Sequence, residues 1–236
     1  MVDNFAFADL PDEVIGFKYP FPRLAEALRG SGRIKIIAMG SSSTAGRGDV
    51  VPYPYRLEMY LRAARNNPNI DVLNRGIGGQ EADKELLRFQ ADIFSETPLL
   101  VIWQVGTNAV FHKEDYNIDD IADKIAIGLD QLRAHPLDVM LIDPQYVPAM
   151  LLDDRAGLSE RMVSLISAVA ERIRVNVFHR WALMRHWHVH NNISFERMLD
   201  PTDPDRLHQS DASTLRLSRG LCDTIMKAVA AAQGAT

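Results

Sequence analysis

Short apolar runs alternate with longer segments of helical period along this chain. The apolar runs predict five strands, at residues 33–39, 70–73, 99–105, 138–142 and 175–178. The longer segments predict helices, at residues 54–65, 81–94, 118–134, 159–174 and 210–232. Strands and helices that alternate in this way form a parallel sheet with helices on both faces. We therefore expect an α/β fold built in three layers.

The composition fits one soluble globular domain. The chain has 236 residues, of which 47% are hydrophobic and 24% charged, and both proportions are ordinary for such a domain. No shift in composition marks a second domain, so we expect a core at about residues 33–233 and an N-terminal extension at 1–32. Cys222 is the single cysteine, which excludes an intramolecular disulfide.

The charge and hydropathy of the chain limit the partners and the cellular compartment that we expect. The net charge of −5, with scattered basic residues, argues against nucleic acid as a partner. No apolar stretch approaches the roughly 20 residues of a membrane span, and residues 1–20 lack the apolar region of a signal peptide. We expect a cytoplasmic protein, although a chain that had lost a leader would look the same. A homo-oligomer is compatible with the sequence.

Four predicted strands end in small or polar residues. They are followed by Gly-Ser-Ser-Ser at 40–43, Gly-Ile-Gly-Gly at 76–79, Gly-Thr-Asn at 106–108 and Asp-Pro-Gln-Tyr at 143–146. Parallel strands present their carboxyl ends at one edge of the sheet, so these loops converge. This edge is therefore the predicted site.

The residues at this edge match the needs of acyl transfer. A serine nucleophile needs a base, and the base needs a partner that fixes its tautomer. Ser42 is the candidate nucleophile, His208 the base and Asp205 the orienting acid. The developing oxyanion needs preorganised donors, for which the candidates are the Ser42 N–H, the Gly79 N–H and the Asn108 amide.

These segments resemble the sequence blocks of the SGNH hydrolases, also called the GDSL esterase/lipase family. The resemblance runs in order from about residue 33 to the C-terminal helix, and it aligns Ser42, Gly79, Asn108 and the Asp205–His208 pair with the family's blocks. It implies a flavodoxin-like three-layer sandwich with a five-stranded parallel sheet. It also implies ester hydrolysis with no metal and no other cofactor.

Two positions depart from the pattern of that family. Ser41 stands where the family usually has aspartate, so hydrogen bonding at the end of the first strand must differ. Ala109 stands where the third block usually has an acidic residue, which leaves the conformation of that loop open. Neither departure removes a residue with a predicted catalytic role.

Neighbouring residues offer alternatives for two of the roles. Ser41 and Ser43 flank Ser42, and we expect them to make ordinary hydrogen bonds at the turn that follows the strand. Asp203 and Asp211 also lie near His208 in sequence. The spacing of three residues favours Asp205, whereas Asp211 suits the start of the last helix.

Other segments at the strand ends are candidates for lining the substrate pocket. These are Tyr53, Phe111, Tyr146 and Val147, for which simple packing is an equal alternative. Residues 179–190 contain His179, His186, His188 and His190. No cysteine or carboxylate cluster accompanies these histidines and their spacing matches no zinc signature, so we predict no metal site there.

The sequence thus predicts a serine esterase that cleaves short acyl esters through an acyl-enzyme. The absence of an obvious lid or long apolar segment favours acetyl groups, with a carbohydrate ester as a candidate substrate. Two alternatives use the same fold. The triad could transfer the acyl group to an acceptor other than water, or residues 40–43 could cradle the phosphate of a flavin in a non-catalytic protein. A third alternative is a metal-dependent hydrolase that uses the histidines of residues 179–190.

Overall fold

Five parallel strands form the centre of the protein. The computed structural model describes residues 8–234. The strands are β1 (Ile34–Gly40), β2 (Ile70–Gly76), β3 (Leu100–Gln104), β4 (Asp138–Ile142) and β5 (Asn176–Phe178). They lie in the order β2-β1-β3-β4-β5, and each pair of neighbours is parallel. This is the strand order of the flavodoxin-like sandwich, and it confirms the predicted fold class.

The central strands are apolar because helices cover both faces of the sheet. Every residue of β3 and β4 is buried, as expected for parallel strands in a doubly covered sheet. In the register of the ladder, Gly40 at the end of β1 pairs with Gly76 at the end of β2. The loops that follow these two strands therefore begin side by side.

Twelve α-helices surround the sheet within residues 8–234. They are α1 (Asp12–Ile15), α2 (Pro22–Ala27), α3 (Ser42–Ala45), α4 (Tyr53–Arg65), α5 (Ala82–Leu86), α6 (Phe89–Asp92), α7 (Thr107–Phe111), α8 (Ile118–Arg133), α9 (Arg155–Ile173), α10 (Arg180–Val189), α11 (Phe195–Met198) and α12 (Asp211–Gly234). Helix α12 packs against α4 and α2, whereas α8 packs against α9 and α5. Two layers of helices thus enclose the sheet.

Two segments differ from the elements that the sequence predicts. The predicted helix at 81–94 is divided into α5, α6 and a short 3₁₀ helix, Phe94–Glu96. Arg88 lies between α5 and α6, and its guanidinium donates to the carbonyl oxygens of Arg75 and Gly40 at the strand ends. The histidine-containing segment, which had no predicted element, forms helix α10.

The described part of the N-terminal extension packs onto the sheet domain. Phe21 and Leu24 are buried, and the Leu24 N–H donates to the Asp138 carboxylate at the start of β4 (2.8 Å). Residues 1–7 of the extension lie outside the described residues. Cys222 is buried in α12. Within residues 8–234, no helix has the length and apolar character that crossing a membrane requires.

Candidate functional site

The nucleophile candidate lies where β1 meets α3. Ser42 is the first residue of α3, directly after the buried Ser41. Both the N–H and the Oγ of Ser41 donate to Oε1 of Gln104 at the end of β3 (3.1 and 3.0 Å). These two hydrogen bonds anchor Ser41 at the end of the strand, where the SGNH hydrolases usually have an aspartate. They also fix the backbone that carries Ser42.

His208 lies between Ser42 and a carboxylate. Its Nε2 is 2.9 Å from Ser42 Oγ, and its Nδ1 is 2.8 Å from Oδ2 of Asp203. An ionised carboxylate only accepts hydrogen bonds, so Nδ1 carries the proton and Nε2 is left as the acceptor for the Ser42 hydroxyl. This tautomer is the one that a general base requires.

The carboxylate beside His208 is Asp203, not the predicted Asp205. Asp203 has a fully buried side chain, whereas the side chain of Asp205 is 53% exposed and lies 4.0 Å from Arg47. The backbone turns at Arg206, which has a φ of +54°. This turn brings the N–H groups of Leu207 and His208 onto Asp203 Oδ2 (2.9 and 2.8 Å). The turn therefore makes Asp203 the carboxylate within reach of the ring.

The surroundings of Asp203 favour its ionised form. Burial opposes the charge, but the hydrogen bonds from the His208 N–H, the His208 ring and the Leu207 N–H hold the pKa of Asp203 below its ordinary value. Arg47 Nη1 lies 2.7 Å from the other carboxylate oxygen and 3.1 Å from His208 Nδ1. Sequence reasoning missed Arg47, since a single arginine after a glycine carries no signal of this contact.

The three predicted oxyanion donors belong to Ser42 itself and to two other segments, those of Gly79 and Asn108. Gly79 has a φ of +75°, a conformation that favours glycine. A Cβ built on the adjacent Gly78 would lie 3.8 Å from Ser42 Cβ, so this loop passes close to the serine. Asn108 is buried in α7, and its Nδ2 donates to the Gln80 carbonyl oxygen (2.7 Å). One N–H of the Asn108 amide is left for a ligand, because the group has two.

A glutamate that the sequence analysis did not single out lies behind these loops. The carboxylate of Glu81 accepts from the N–H groups of Gly106 and Ala109 (2.9 and 3.0 Å). The loop at Ala109, whose conformation could not be predicted from the sequence, is therefore held by a carboxylate from another segment. An acidic residue just before a helix is typical of an N-cap, and that local pattern gives no sign of the longer contact.

A small cavity opens beside Ser42 and His208. Its volume is about 30 Å³, and Arg47, Tyr53 and Arg180 form part of its wall. Tyr53, a candidate for lining the substrate pocket, is in the wall of this cavity, and its side chain is buried. Arg180 is also buried, and its Nε donates to the Asp143 carbonyl oxygen (2.9 Å). Burial lowers the pKa of this guanidinium to about 10.

The other residues predicted to line the pocket are not in the wall of this cavity. Val147 is fully buried in the core, so its side chain has no surface to offer to a substrate. The ring of Phe111 lies under the Arg155 guanidinium, 5.2 Å from it. Tyr146 packs edge-on against Trp181, with ring centroids 5.0 Å apart. For these three residues the packing alternative describes the contacts better.

The histidines of residues 179–190 make separate local contacts. His179 Nδ1 is 3.2 Å from the Asp143 carboxylate, and His188 Nδ1 is 2.9 Å from the Ile193 carbonyl oxygen. The rings of His186 and His190 lie one helical turn apart, with centroids at 4.9 Å. Among residues 8–234, no group of three or more His, Cys, Asp or Glu side chains is arranged to hold a metal ion.

Comparison with known sequences places the chain in a family of hydrolase-like proteins. The model of the non-GDSL lipase-like family matches residues 7–231. A curated relative, the uncharacterized lipoprotein YqeF of Bacillus subtilis (strain 168), is 37% identical over 82 residues. The aligned part covers 34% of this chain and 33% of that protein. The chain therefore spans about a third of the length of the curated relative that it matches.

Solved structures share the fold over most of the chain. The acetylxylan esterase Axe2 from Geobacillus stearothermophilus has a TM-score of 0.70 at 19% identity, covering 83% of this chain and 95% of that one. LAE5, an alpha/beta hydrolase enzyme from the metagenome of Lake Arreo, Spain, has a TM-score of 0.67 at 17% identity, covering 86% and 98%. At these identities the likeness shows a common fold.

Proposed function

The chain belongs to the non-GDSL lipase-like family, and we propose that it is a serine esterase of the SGNH type. One observation carries the proposal: His208 lies within hydrogen-bond distance of both Ser42 Oγ (2.9 Å) and the Asp203 carboxylate (2.8 Å). In this arrangement the imidazole can accept the serine proton, and the buried carboxylate fixes the tautomer of the imidazole. Such an arrangement activates a hydroxyl for attack on an ester.

In the acylation step, Ser42 Oγ attacks the ester carbonyl carbon while His208 Nε2 accepts the hydroxyl proton. The imidazolium that forms is stabilised by the Asp203 carboxylate, which stays ionised. His208 then gives the proton to the leaving alkoxide as the carbon–oxygen bond breaks. The products of this step are a free alcohol and an acyl group on Ser42.

The oxyanion of the tetrahedral intermediate is stabilised by the Ser42 N–H, the Gly79 N–H and the second N–H of the Asn108 amide. Fixed donors at the place where negative charge develops lower the barrier because they need no reorganisation during the reaction. In the deacylation step, His208 removes a proton from water, which attacks the acyl carbon. The second intermediate then collapses: the bond between the acyl carbon and Ser42 Oγ breaks, His208 returns its proton to Ser42 Oγ, and the carboxylic acid is released.

The cavity beside Ser42 and His208 is small, which supports a short acyl group. An acetyl ester on a carbohydrate is the proposed substrate class, and the likeness to Axe2, an acetylxylan esterase, supports it.

The same comparison supports a second assignment for the acid. Catalytic mutants of Axe2 replace a serine, an aspartate and a histidine, and that aspartate and histidine are three positions apart. In this chain that spacing corresponds to Asp205 and His208. The contacts of His208 favour Asp203 instead, and substitution of each aspartate separates the two.

The test of the proposed function is the paired substitution of adjacent serines. Ser42→Ala should abolish hydrolysis of p-nitrophenyl acetate, because it removes the nucleophile and leaves the fold intact. Ser43→Ala is the comparison variant: Ser43 also lines the cavity, but its hydroxyl lies only at the edge of hydrogen-bond distance from Gln145 (3.5 Å) and is not the hydroxyl that His208 Nε2 contacts. It should keep most of the activity that Ser42→Ala loses.

Two further measurements complete this test. Circular dichroism should show the same helix content in both variants and the wild type. Acetate release from acetylated xylooligosaccharides, compared with hydrolysis of butyrate and octanoate esters, should fall as the acyl chain lengthens. Full activity of a folded Ser42→Ala protein would refute the nucleophile, and a preference for octanoate would refute the acetyl assignment.

A further inference from the structure

A buried carboxylate is bonded to backbone groups on both sides of Asn108. Glu81 is 2% exposed. Its Oε1 accepts from the N–H groups of Ala82 and Gly106 (3.0 and 2.9 Å), and its Oε2 accepts from the N–H of Ala109 (3.0 Å). Two residues that flank Asn108 in the chain are therefore anchored to the same side chain.

The segment that carries Glu81 also holds the side chain of Asn108. The Asn108 Nδ2 donates to the carbonyl oxygen of Gln80 (2.7 Å), and Gly79 is the residue before Gln80. Arg88 fixes this segment in turn, because its Nε donates to Gln80 Oε1 (2.7 Å). The Gly79 loop and the Asn108 loop are thus cross-linked through residues 80 and 81.

Glu81 and Glu85 form a pair of buried carboxyl groups. Glu85, one turn further along, accepts from Trp103 Nε1 (2.6 Å), and burial raises its pKa to about 8. Burial raises the pKa of Glu81 as well, whereas the three N–H groups that donate to its carboxylate favour the charged form.

We propose that Glu81 is a positioning residue, which holds the Asn108 amide in register with the Gly79 N–H so that both donate to one oxyanion. This inference rests on the proposed function, because it acts through two of the proposed donors. Its contacts reach the backbone of the Asn108 loop and the start of α5, and they do not reach Ser42 or His208. Glu81 is therefore expected to affect the rate of the chemical step and to leave ester binding unchanged.

The substitution that tests this role is Glu81→Gln, which keeps the size of the side chain. Its amide nitrogen would face the Ala109 N–H or the Gly106 N–H, so two donors would meet and the loop would shift. A displacement of about 1 Å at a reacting group costs on the order of 10²-fold in rate. We expect kcat for p-nitrophenyl acetate to fall between about 10-fold and 10²-fold, with KM within about twofold.

Glu85→Gln is the matched control. Both glutamates are buried, lie four positions apart and become neutral amides of the same size. Glu85 contacts the Trp103 ring nitrogen and has no hydrogen bond to the loop of Asn108 within the described residues. Its substitution should leave kcat within about twofold of the wild type. An equal fall of kcat in both variants would overturn the inference, because it would indicate a general effect on packing.

A double-mutant cycle with Asn108→Ala separates positioning from a structural role. Asn108→Ala alone should lower kcat by roughly 10²-fold, as the loss of one oxyanion donor does. If Glu81 acts through Asn108, adding Glu81→Gln to Asn108→Ala should lower kcat by less than about threefold more. Independent structural effects would instead multiply, and full multiplication would overturn the inference while leaving the proposed function intact.

Two further outcomes are distinguishable. An Asn108→Ala variant with wild-type kcat would refute the oxyanion hole of the proposed function and the Glu81 inference with it. If Glu81→Gln does not fold, Glu81→Asp takes its place in the cycle, because it keeps the carboxyl group but is too short to reach both Gly106 and Ala109. A folded Glu81→Asp variant with wild-type kcat would overturn the positioning role.

Discussion

Replacing either aspartate near His208 by asparagine separates the two candidates for the acid. Asp203→Asn removes a charge whose side chain is fully buried and 2.8 Å from His208 Nδ1. Asp205→Asn removes a charge that is 53% exposed and has its nearest cation, Arg47, at 4.0 Å. The two changes are chemically identical and lie two positions apart, so each is the control for the other.

The structure sets the size of the expected loss. The imidazolium and the Asp203 carboxylate are separated by about 4 Å between charge centres, which at an effective dielectric constant of about 20 corresponds to about 4 kcal/mol. This interaction exists only while His208 is protonated, so it lowers the barrier and not the energy of the free enzyme. Since each 1.36 kcal/mol is tenfold in rate, kcat should fall by roughly 10³-fold in Asp203→Asn.

The expected loss in Asp205→Asn is less than about threefold, because water screens an exposed charge. The assay is steady-state hydrolysis of p-nitrophenyl acetate from pH 5 to 9, with thermal unfolding as the check on folding. Refutation would be a folded Asp205→Asn variant that loses as much kcat as Asp203→Asn. That result would indicate that the contacts of Asp203 are structural and that Asp205, three positions before His208, is the acid.

The remaining predictions concern stability. Gly76→Ala should lower the free energy of unfolding by about 3 kcal/mol or more, because its Cβ would lie 2.6 Å from Ala45 Cα. Gly79→Ala should lower the free energy of unfolding by about 1 kcal/mol, because the positive φ strains an alanine there but the space around the new Cβ is open. Equal urea midpoints for the two variants would contradict this difference. Burial raises the pKa of Glu85 from 4.5 to about 8, so its protonated form stabilises the fold fully below about pH 4.5 and this contribution is lost as pH rises through 8. Between pH 5 and 9, the free energy of unfolding of the wild type should therefore fall by at most about 4 kcal/mol relative to that of Glu85→Gln. The same pH dependence of the free energy of unfolding in urea for both proteins would contradict this prediction.

The strands were predictable because both faces of a parallel sheet are buried. Strand β4 lies at the predicted residues 138–142, and β3 is one residue shorter than predicted at each end. The prediction of one continuous helix at 81–94 was wrong, because the segment is divided into shorter helices. Its apolar spacing is helical, but Glu85 and Arg88 make tertiary contacts that no local pattern records. Tertiary bonds to the sheet thus override helix propensity there.

The proposed nucleophile, base and oxyanion donors could be proposed from the sequence because each follows a strand end or matches a sequence block. Ser42 and His208 are 166 positions apart and lie within hydrogen-bond distance of each other. Glu81 and Arg47 could not be found, because their partners lie far from them in sequence. The contact between Arg47 and Asp203, for example, spans most of the chain. Such contacts exist only once the sheet has assembled.

The difference between the predicted Asp205 and the observed neighbour of His208, Asp203, arises within one loop. A spacing of three residues brings two side chains together on a regular helix, but residues 203–208 form a turn in which Arg206 has a positive φ. In this turn the Asp203 carboxylate accepts from both the backbone N–H and the ring of His208. These two bonds hold the ring of His208 beside Asp203, whereas the side chain of Asp205 is exposed and lies 4.0 Å from Arg47. This difference is the physical reason for proposing Asp203 as the acid.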